Sequence, residues 1–351
     1  YENMFQDKVT LALQNTVGRF TRFLSTVFTS KNPAFIPINL LRDLGYSSMS
    51  HLIRDDGNFT GYAKNLAKAK KAISRKLKGK ADPKNDSLDH LYEQFLKYGG
   101  ETGWVHLDSI DRIKGKLQKD IRKLDKTSGF ARKVLVDGIV NNAGELLDRM
   151  ATVSENISRF ATFLASVEQG KSYQKAAYDA KNITVNFNRK GRATGLFGSI
   201  YAFFNASIQG GNNVISMAVN NKGKFAFTAA MFYGAAILNA ALHDATEDDD
   251  DETYFDNSDY VRQNNLVINI GNGEYLSLPL PHGFRSFYAL GDMTYMLMKG
   301  MITEGDLVKN GLSAVISNVS PVDPVGVINK KGELDPRPII PTFAVPFYDI
   351  A

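Results

Sequence analysis

Five histidines, at positions 51, 90, 106, 243 and 282, are the side chains best suited to acid–base work near neutral pH. Their spacing limits what they can do. No two lie three to five residues apart, so the sequence holds no helical pair of imidazole metal ligands. There is no cysteine, which removes disulfides, thiol nucleophiles and Cys-based zinc sites. In "WVHLD" His106 stands two residues before Asp108, a spacing that alternate strand positions produce routinely. No serine sits in the strand–turn–helix setting of a nucleophile elbow. The glycines of "GNGEYLSLPLPHG" open no helix and therefore make a turn, not a phosphate cradle. The unbroken acids Glu247 to Glu252 lack the alternating ligand positions and central glycine of a calcium loop, and a block of like charge is expected to be solvated. Catalytic, cofactor-binding and metal-binding residues are accordingly not expected, and the segment reads as non-enzymatic.

One run of charge has a different character. In "GYAKNLAKAKKAISRKLKGK", residues 61–80, the cations Lys64, Lys68, Lys70, Lys71, Arg75, Lys76, Lys78 and Lys80 occur with no acid between them. Such a run can neutralise several phosphates in a sequence-independent, salt-sensitive way, or it can be a solvated helix face. It has little aromatic interleaving and so is not a stacking platform for single strands. Lys68, Lys70, Lys71, Arg75, Lys76, Lys78 and Lys80 are the candidate contacts for nucleic acid or anionic lipid. A net charge of +5 favours polyanions without requiring them.

These side chains must be carried by helices for the most part. With 43% hydrophobic and 23% charged residues, the 351-residue chain has the composition of a globular protein. It opens on Tyr1, which suggests a piece of something longer. Apolar steps of three and four predict helices over 7–29, 61–80, 88–98, 108–126 and 129–168, the last interrupted near "NNAGE", and a further helix after "EQGKS". The run 196–220 is apolar but contains "QGGNN", which is expected to break or kink a helix. After the acidic block the period changes to two: "NLVINIGNGEYLSLPLP" alternates about Gly271-Asn272-Gly273 and predicts a β-hairpin near 265–280. Helices resume at 284–300 and 305–317. The tail from Ser320 holds more than half of the eleven prolines and reads as an extended arm. The expected fold is mainly α, an elongated multi-helix assembly with one small hairpin and a Pro-rich C-terminal arm. Its segments are an N-terminal helical part (1–60), a basic helical part (61–150), a part carrying the hydrophobic helices 196–220 and 225–242 (151–260), and the hairpin, helices and arm (261–351).

The stretch from Phe225 to Leu242 is uncharged for eighteen residues, about 27 Å of helix, slightly short of a bilayer's hydrocarbon core. Asn239, Thr228 and Gly234 offset much of what its Phe, Ile and Leu side chains gain from lipid, so insertion is near neutral. Ala226, Ala230 and Gly234 lie four apart and form a small-residue stripe that lets another helix come close. Two readings stand: a fully buried helix, or a helix able to enter a bilayer. A helix covered by partners in an assembled particle and membrane-competent after release satisfies both.

Several stretches, in order, carry a resemblance: "NPAFIPINLLRD" (32–43), "ENISRFATFLASVEQGKSYQKAAYDAKNITVNFNRKG" (155–191), "FFNASIQGG" (203–211), "YLSLPLPHGF" (275–284), "SPVDPVG" (320–326) and "IIPTFAVPFYDIA" (339–351). Together they resemble a C-terminal helical domain of large polyvalent proteins of phages and mobile elements, and are similar to the large internal virion (ejection) proteins of short-tailed phages. Asn32, Pro33, Arg42, Asp43, Asn182, Phe187, Gly191, Asn205, Pro279 and Pro281 are the motif positions, expected to be structural. Asn182 to Gly191 is expected to anchor a helix-to-loop junction in the core. The resemblance implies a structural component of a genome-ejection apparatus, packed inside the capsid and released to help form a DNA conduit across the host envelope. Its partners would be other internal virion proteins and copies of itself, with phage DNA and host membrane also in reach. No cofactor is implied, and any enzymatic module would lie elsewhere in the longer chain. Two alternatives stay open: a non-catalytic interaction module acting on host defence or DNA in the cytoplasm, and an enzyme acting on murein or nucleic acid.

Overall fold

A computed structural model describes residues 35–101, 143–186, 204–247, 253–271 and 273–320, with the single positions 17, 18, 21, 189, 197, 198, 201, 325, 335, 336, 339 and 340. The helix expected at 108–126, the first part of the one expected at 129–168, most of the one expected at 7–29 and most of the Pro-rich arm lie outside these residues, as do Asn32, Pro33, Phe187 and Gly191. The described chain is mainly α-helical with one antiparallel two-stranded sheet. It divides into two compact units, Tyr1–Ser48 with Asn58–Ala202, and Met49–Gly57 with Phe203–Ala351.

Helix α1 (Phe35–Ile53) runs through Ser48 in the first unit and from Met49 in the second. The first unit also contains α2 (Phe59–Leu77), α3 (Ser87–Lys97), α4 (Ala143–Glu168) and α5 (Tyr173–Lys181). Side-chain caps define the starts: Asn58 accepts from the Gly61 amide at 2.8 Å, Asp86 accepts from those of Leu88 and Asp89, and Ser172 accepts from that of Lys175. α2 buries Tyr62, Asn65, Ala69, Ala72 and Ile73, at steps of three and four, against α4. The core is aromatic at its centre. Tyr92 meets Phe160 edge-on at 4.8 Å, and Phe95 meets Phe160 and Phe163 at 5.3 and 5.6 Å. Small residues of α5, Ala176, Ala177 and Ala180, let that short helix lie close on α4.

The second unit is built from α6 (Phe204–Asn220), α7 (Lys222–Thr246), a 3₁₀ turn (Tyr254–Asp256), α8 (Asp259–Asn264), β1 (Asn265–Gly271), β2 (Glu274–Pro279), α9 (Arg285–Met298) and α10 (Glu304–Val319). The hairpin pairs Asn265 with Pro279 and Val267 with Ser277, with an irregularity between Asn269 and Gly271. Gly271 and Gly273 take φ of +94° and +72°, the left-handed backbone the turn requires. The break expected at "QGGNN" does not occur: α6 is continuous through it. Its glycines serve packing instead. Gly210 and Gly211 are buried, and a Cβ on Gly210 would come to 3.0 Å from the His282 ring. Close approach also fixes the α7–α9 pair, because a Cβ on Gly291 would sit 2.2 Å from the Tyr233 carbonyl oxygen and 2.9 Å from the Ala236 Cβ.

Candidate functional site

The basic run lies on α2 and just beyond it. Lys64, Lys68, Lys70, Lys71, Lys76, Lys78 and Lys80 are all exposed. Lys64, Lys68, Lys71 and Lys78 recur at steps of four, three and seven and share one face about 21 Å long, away from the face that α2 buries. Lys68 reaches Glu168 at 3.3 Å, but both side chains are about half exposed, so the pair is weak and readily exchanged. Arg75 differs from the rest. Its guanidinium holds Asp86 at 2.5 Å and Asp89 at 2.8 Å, so it staples α2 to the start of α3 and is not a free cation.

Two of the motif stretches meet inside the first unit. Arg159 is 1% exposed. It donates to the Glu155 carbonyl at 2.9 Å, and to the Thr184 hydroxyl and the Val185 carbonyl at 3.0 Å each. α4 is thereby tied to the segment after α5, where Ile183 is buried and Asn182 donates to the Tyr178 carbonyl at 2.7 Å. The carboxyls of Asp43 and Glu155 stand in the field of Arg159. Burial pushes Asp43 up to about 6, against the pull of Arg159 and Arg42. Burial likewise pushes Glu155 up to about 7; Arg159 opposes the shift, while Asp43 and Glu101 add to it. Buried Arg159 thus acts electrostatically on the half-buried carboxyls of Asp43 and Glu155, with Arg42 also acting on Asp43, across segments more than a hundred residues apart.

A second network ties the second unit together. His243, near the end of α7, stacks on the Tyr254 ring at 4.6 Å; its Nδ1 lies 2.5 Å from Glu247 Oε1 and its Nε2 3.0 Å from the Val267 carbonyl of β1. Glu247 also accepts from the Tyr254 amide at 2.6 Å, the Tyr275 hydroxyl at 2.9 Å and the Asn269 amide at 3.1 Å. Burial acts to raise the Glu247 carboxyl, but these hydrogen bonds outweigh it and hold the group below the usual range. Tyr254 continues the network by donating to Asp292 at 2.8 Å, and Arg262, buried beside it, lies 3.5 Å from Asp292 and 2.7 Å from Asp259. Burial raises the Asp292 carboxyl, with Arg262 and Tyr254 opposing. The first acid of the block expected to be a solvated loop is thus an interior fastener; Asp248 to Glu252 lie outside the described residues. Of the remaining motif positions, Asn205 accepts from Gln209 at 3.1 Å, Pro279 ends β2, and buried Pro281 accepts from the Arg285 amide.

The uncharged helix is not fully buried. α7 turns Ala229, Ala236, Ala240 and His243 inward and leaves Phe227, Met231, Leu238 and Leu242 exposed at 69%, 59%, 60% and 54%. At 100° per residue the two sets lie on opposite sides of the helix. Ala226, Ala230 and Gly234, the small stripe, are on the outer side, and nothing stands within 4 Å of a Cβ built on Gly234. α7 is long and apolar enough to cross a membrane. The same unit exposes Ile208, Ile215 and Val219 on α6, and Val308, Leu312 and Val315 on α10. A shallow cleft of about 180 Å³, lined by residues such as Asp259, Gln263, Asn264 and Asn310, includes Arg285, but Asp259 is bound to Arg262 and Arg285 to Asn318. Among the described residues no group of three or more His, Asp or Glu side chains is placed to hold a metal ion.

Residues 251–351 match a family model described as large polyvalent protein associated domain 38. The matched stretch contains Tyr254, Arg262, Tyr275 and Asp292 of the second network. No curated protein and no solved structure matches the chain.

Proposed function

We propose that this chain is a non-catalytic, structural part of a phage genome-ejection apparatus, carried inside the virion and released to act at the host envelope. The observation that carries this reading is the outer face of α7, an uncharged run of large apolar side chains left open to solvent. Exposed apolar surface of this extent marks an interaction site rather than a finished surface. The match of the C-terminal part to a domain of large polyvalent proteins agrees with a phage origin. Arg159, Glu247 and Tyr254 spend their hydrogen bonds on tying elements to one another, which agrees with a structural role for both networks. Co-flotation of the whole chain with liposomes tests the reading. Binding to vesicles, lost when Phe227 and Leu238 are both changed to serine, supports it; a chain that stays at the bottom of the gradient with neutral and anionic lipid alike contradicts the envelope role.

A second reading is favoured by the lysine stripe of α2. Exposed lysines along about 21 Å, one of them in a weak, exchangeable pair with Glu168, fit the backbone of a nucleic acid in a lumen or in the cytoplasm. Recovery of the protein from the soluble fraction of infected cells, bound to DNA, would favour an interaction module there over the envelope role.

A further inference from the structure

We propose that α2 and the turn after it form a docking face for the sugar–phosphate backbone of duplex DNA, bound without regard to sequence. This rests on the second reading above and deepens it, because it names the kind of nucleic acid and sets it against an anionic lipid surface. No acid occurs between residues 57 and 81, and the seven lysines of that stretch are all exposed. Lys68 has the exchangeable pair with Glu168; Lys64, Lys70, Lys71, Lys76, Lys78 and Lys80 have no carboxylate partner among the described residues. Elsewhere Lys171, Lys175 and Lys299 each hold a carboxylate, at 2.8, 2.7 and 2.5 Å, so a row of lysines left open is a local feature. The acids that follow in the chain do not offset it. Asp86 and Asp89 are bound by Arg75; Asp89 is buried and also accepts from the Asp82 amide at 2.8 Å, and Asp82 accepts from the amides of Lys84 and Asn85. What stands beside the lysines selects the partner. Lys64, Lys68, Lys71 and Lys78 share a face with Thr60, Ala63 and Ala67, which are short and exposed, so a stiff backbone can come close along the helix. A helix that lies on anionic lipid needs large apolar side chains to bury below the headgroups. Among the residues of α2 the one such side chain that is exposed is Phe59, at its start. A single strand is held by stacking on exposed aromatic rings, and Tyr62, the other ring of α2, is fully buried. Duplex DNA requires neither feature. It carries one charge per roughly 1.7 Å of axis, so a row of about 21 Å faces about twelve phosphates.

The test is a salt titration of the whole chain, by fluorescence anisotropy, with a labelled duplex of about two helical turns, a second duplex of unrelated sequence and one of the single strands, beside sedimentation with phosphatidylglycerol vesicles. The two duplexes are expected to bind alike and more tightly than the single strand. With the four lysines of the row on phosphates, log K falls against log salt with a slope of about −3.6, roughly a 150-fold loss of affinity between 50 and 200 mM salt. Lys64→Gln, Lys71→Gln and Lys78→Gln are each expected to reduce that slope by about 0.9, and Lys222→Gln, exposed in the second unit, to leave it unchanged. Circular dichroism confirms that each variant is folded. Equal affinity for the single strand, or a slope that the three substitutions do not change, overturns the proposal while binding to nucleic acid still stands. Absence of binding to every nucleic acid at 50 mM salt removes the second reading as well. If the three substitutions weaken binding to vesicles and the chain takes up no duplex, the partner of this face is an anionic lipid surface and both fail.

Discussion

Replacing Glu155 with glutamine should alter the pH dependence of stability more than stability itself. The folded chain holds the Glu155 proton up to about pH 7, whereas an unfolded chain releases it near 4.5. Between those values the native state binds more protons than the unfolded one, so the contribution of this group to stability falls as pH rises and is fully lost above the folded value. At about 1.36 kcal/mol per unit, integration from pH ~5 to pH ~8 gives a loss of roughly 2 to 3 kcal/mol. Glu155 retains some contact with solvent and is coupled to Asp43, so this is an upper figure. Asp43, pushed up to about 6, acts in the same direction over roughly pH 4 to 6, and the two effects do not simply add. Urea unfolding of the whole chain, followed by circular dichroism at several pH values, reads this directly. Glu155→Gln should gain on the wild type by about 2 kcal/mol between pH ~5 and pH ~8, with the midpoint of that gain near pH ~6 and a plateau above pH ~7. A difference between the two chains that does not vary with pH would refute the picture of a desolvated carboxyl held beside Arg159.

Three further outcomes follow from particular contacts. Gly291→Ala should destabilise the second unit by about 1–3 kcal/mol or more, read as a lowered urea midpoint with unchanged slope, because the new methyl group meets the Tyr233 carbonyl and Ala236. Glu247→Gln should cost about 2–4 kcal/mol at neutral pH, since an acceptor of four hydrogen bonds loses its charge. The Glu247 carboxyl is held below its ordinary value, so in the wild type this contribution is present above pH ~4.5 and lost as pH falls; the variant should lack that acid-side decline. Charge reversal at Lys64, Lys71 and Lys78 together should abolish low-salt binding to duplex DNA and flatten its salt dependence while leaving thermal stability within about 0.5 kcal/mol, as measured by filter binding and thermal melting.

The helices and the hairpin were legible because they rest on local periodicity and turn chemistry. The steps of three and four in α2 and the alternation about Gly271-Asn272-Gly273 each specify an element without tertiary help. Where a distant contact decides, the local signal misleads. "QGGNN" has the composition of a break, yet α6 runs through it because Gly210 makes room for the His282 ring, a partner more than seventy residues away. The 3₁₀ turn and α8 are too short to show a period and are held by Tyr254 and Arg262. The candidate surfaces were half visible. The lysine run is plain in the sequence, but the removal of Arg75 from it depends on Asp86 and Asp89 lying across a turn. The small stripe Ala226, Ala230 and Gly234 stood out, but an alanine-rich helix has a second small stripe, Ala229, Ala236 and Ala240. Only packing against α9 decides which of the two faces solvent. The groupings about Arg159 and Glu247 were invisible, because their members come from separate segments of the chain.

If the chain works through its surfaces at the host envelope during genome delivery, fractionating host cells shortly after infection, with antibody detection of the protein, tests that role most directly. Protein present in purified virions should be recovered with the cell envelope as the genome enters. Protein that remains in the emptied particle, or that appears only in the soluble fraction, would contradict it.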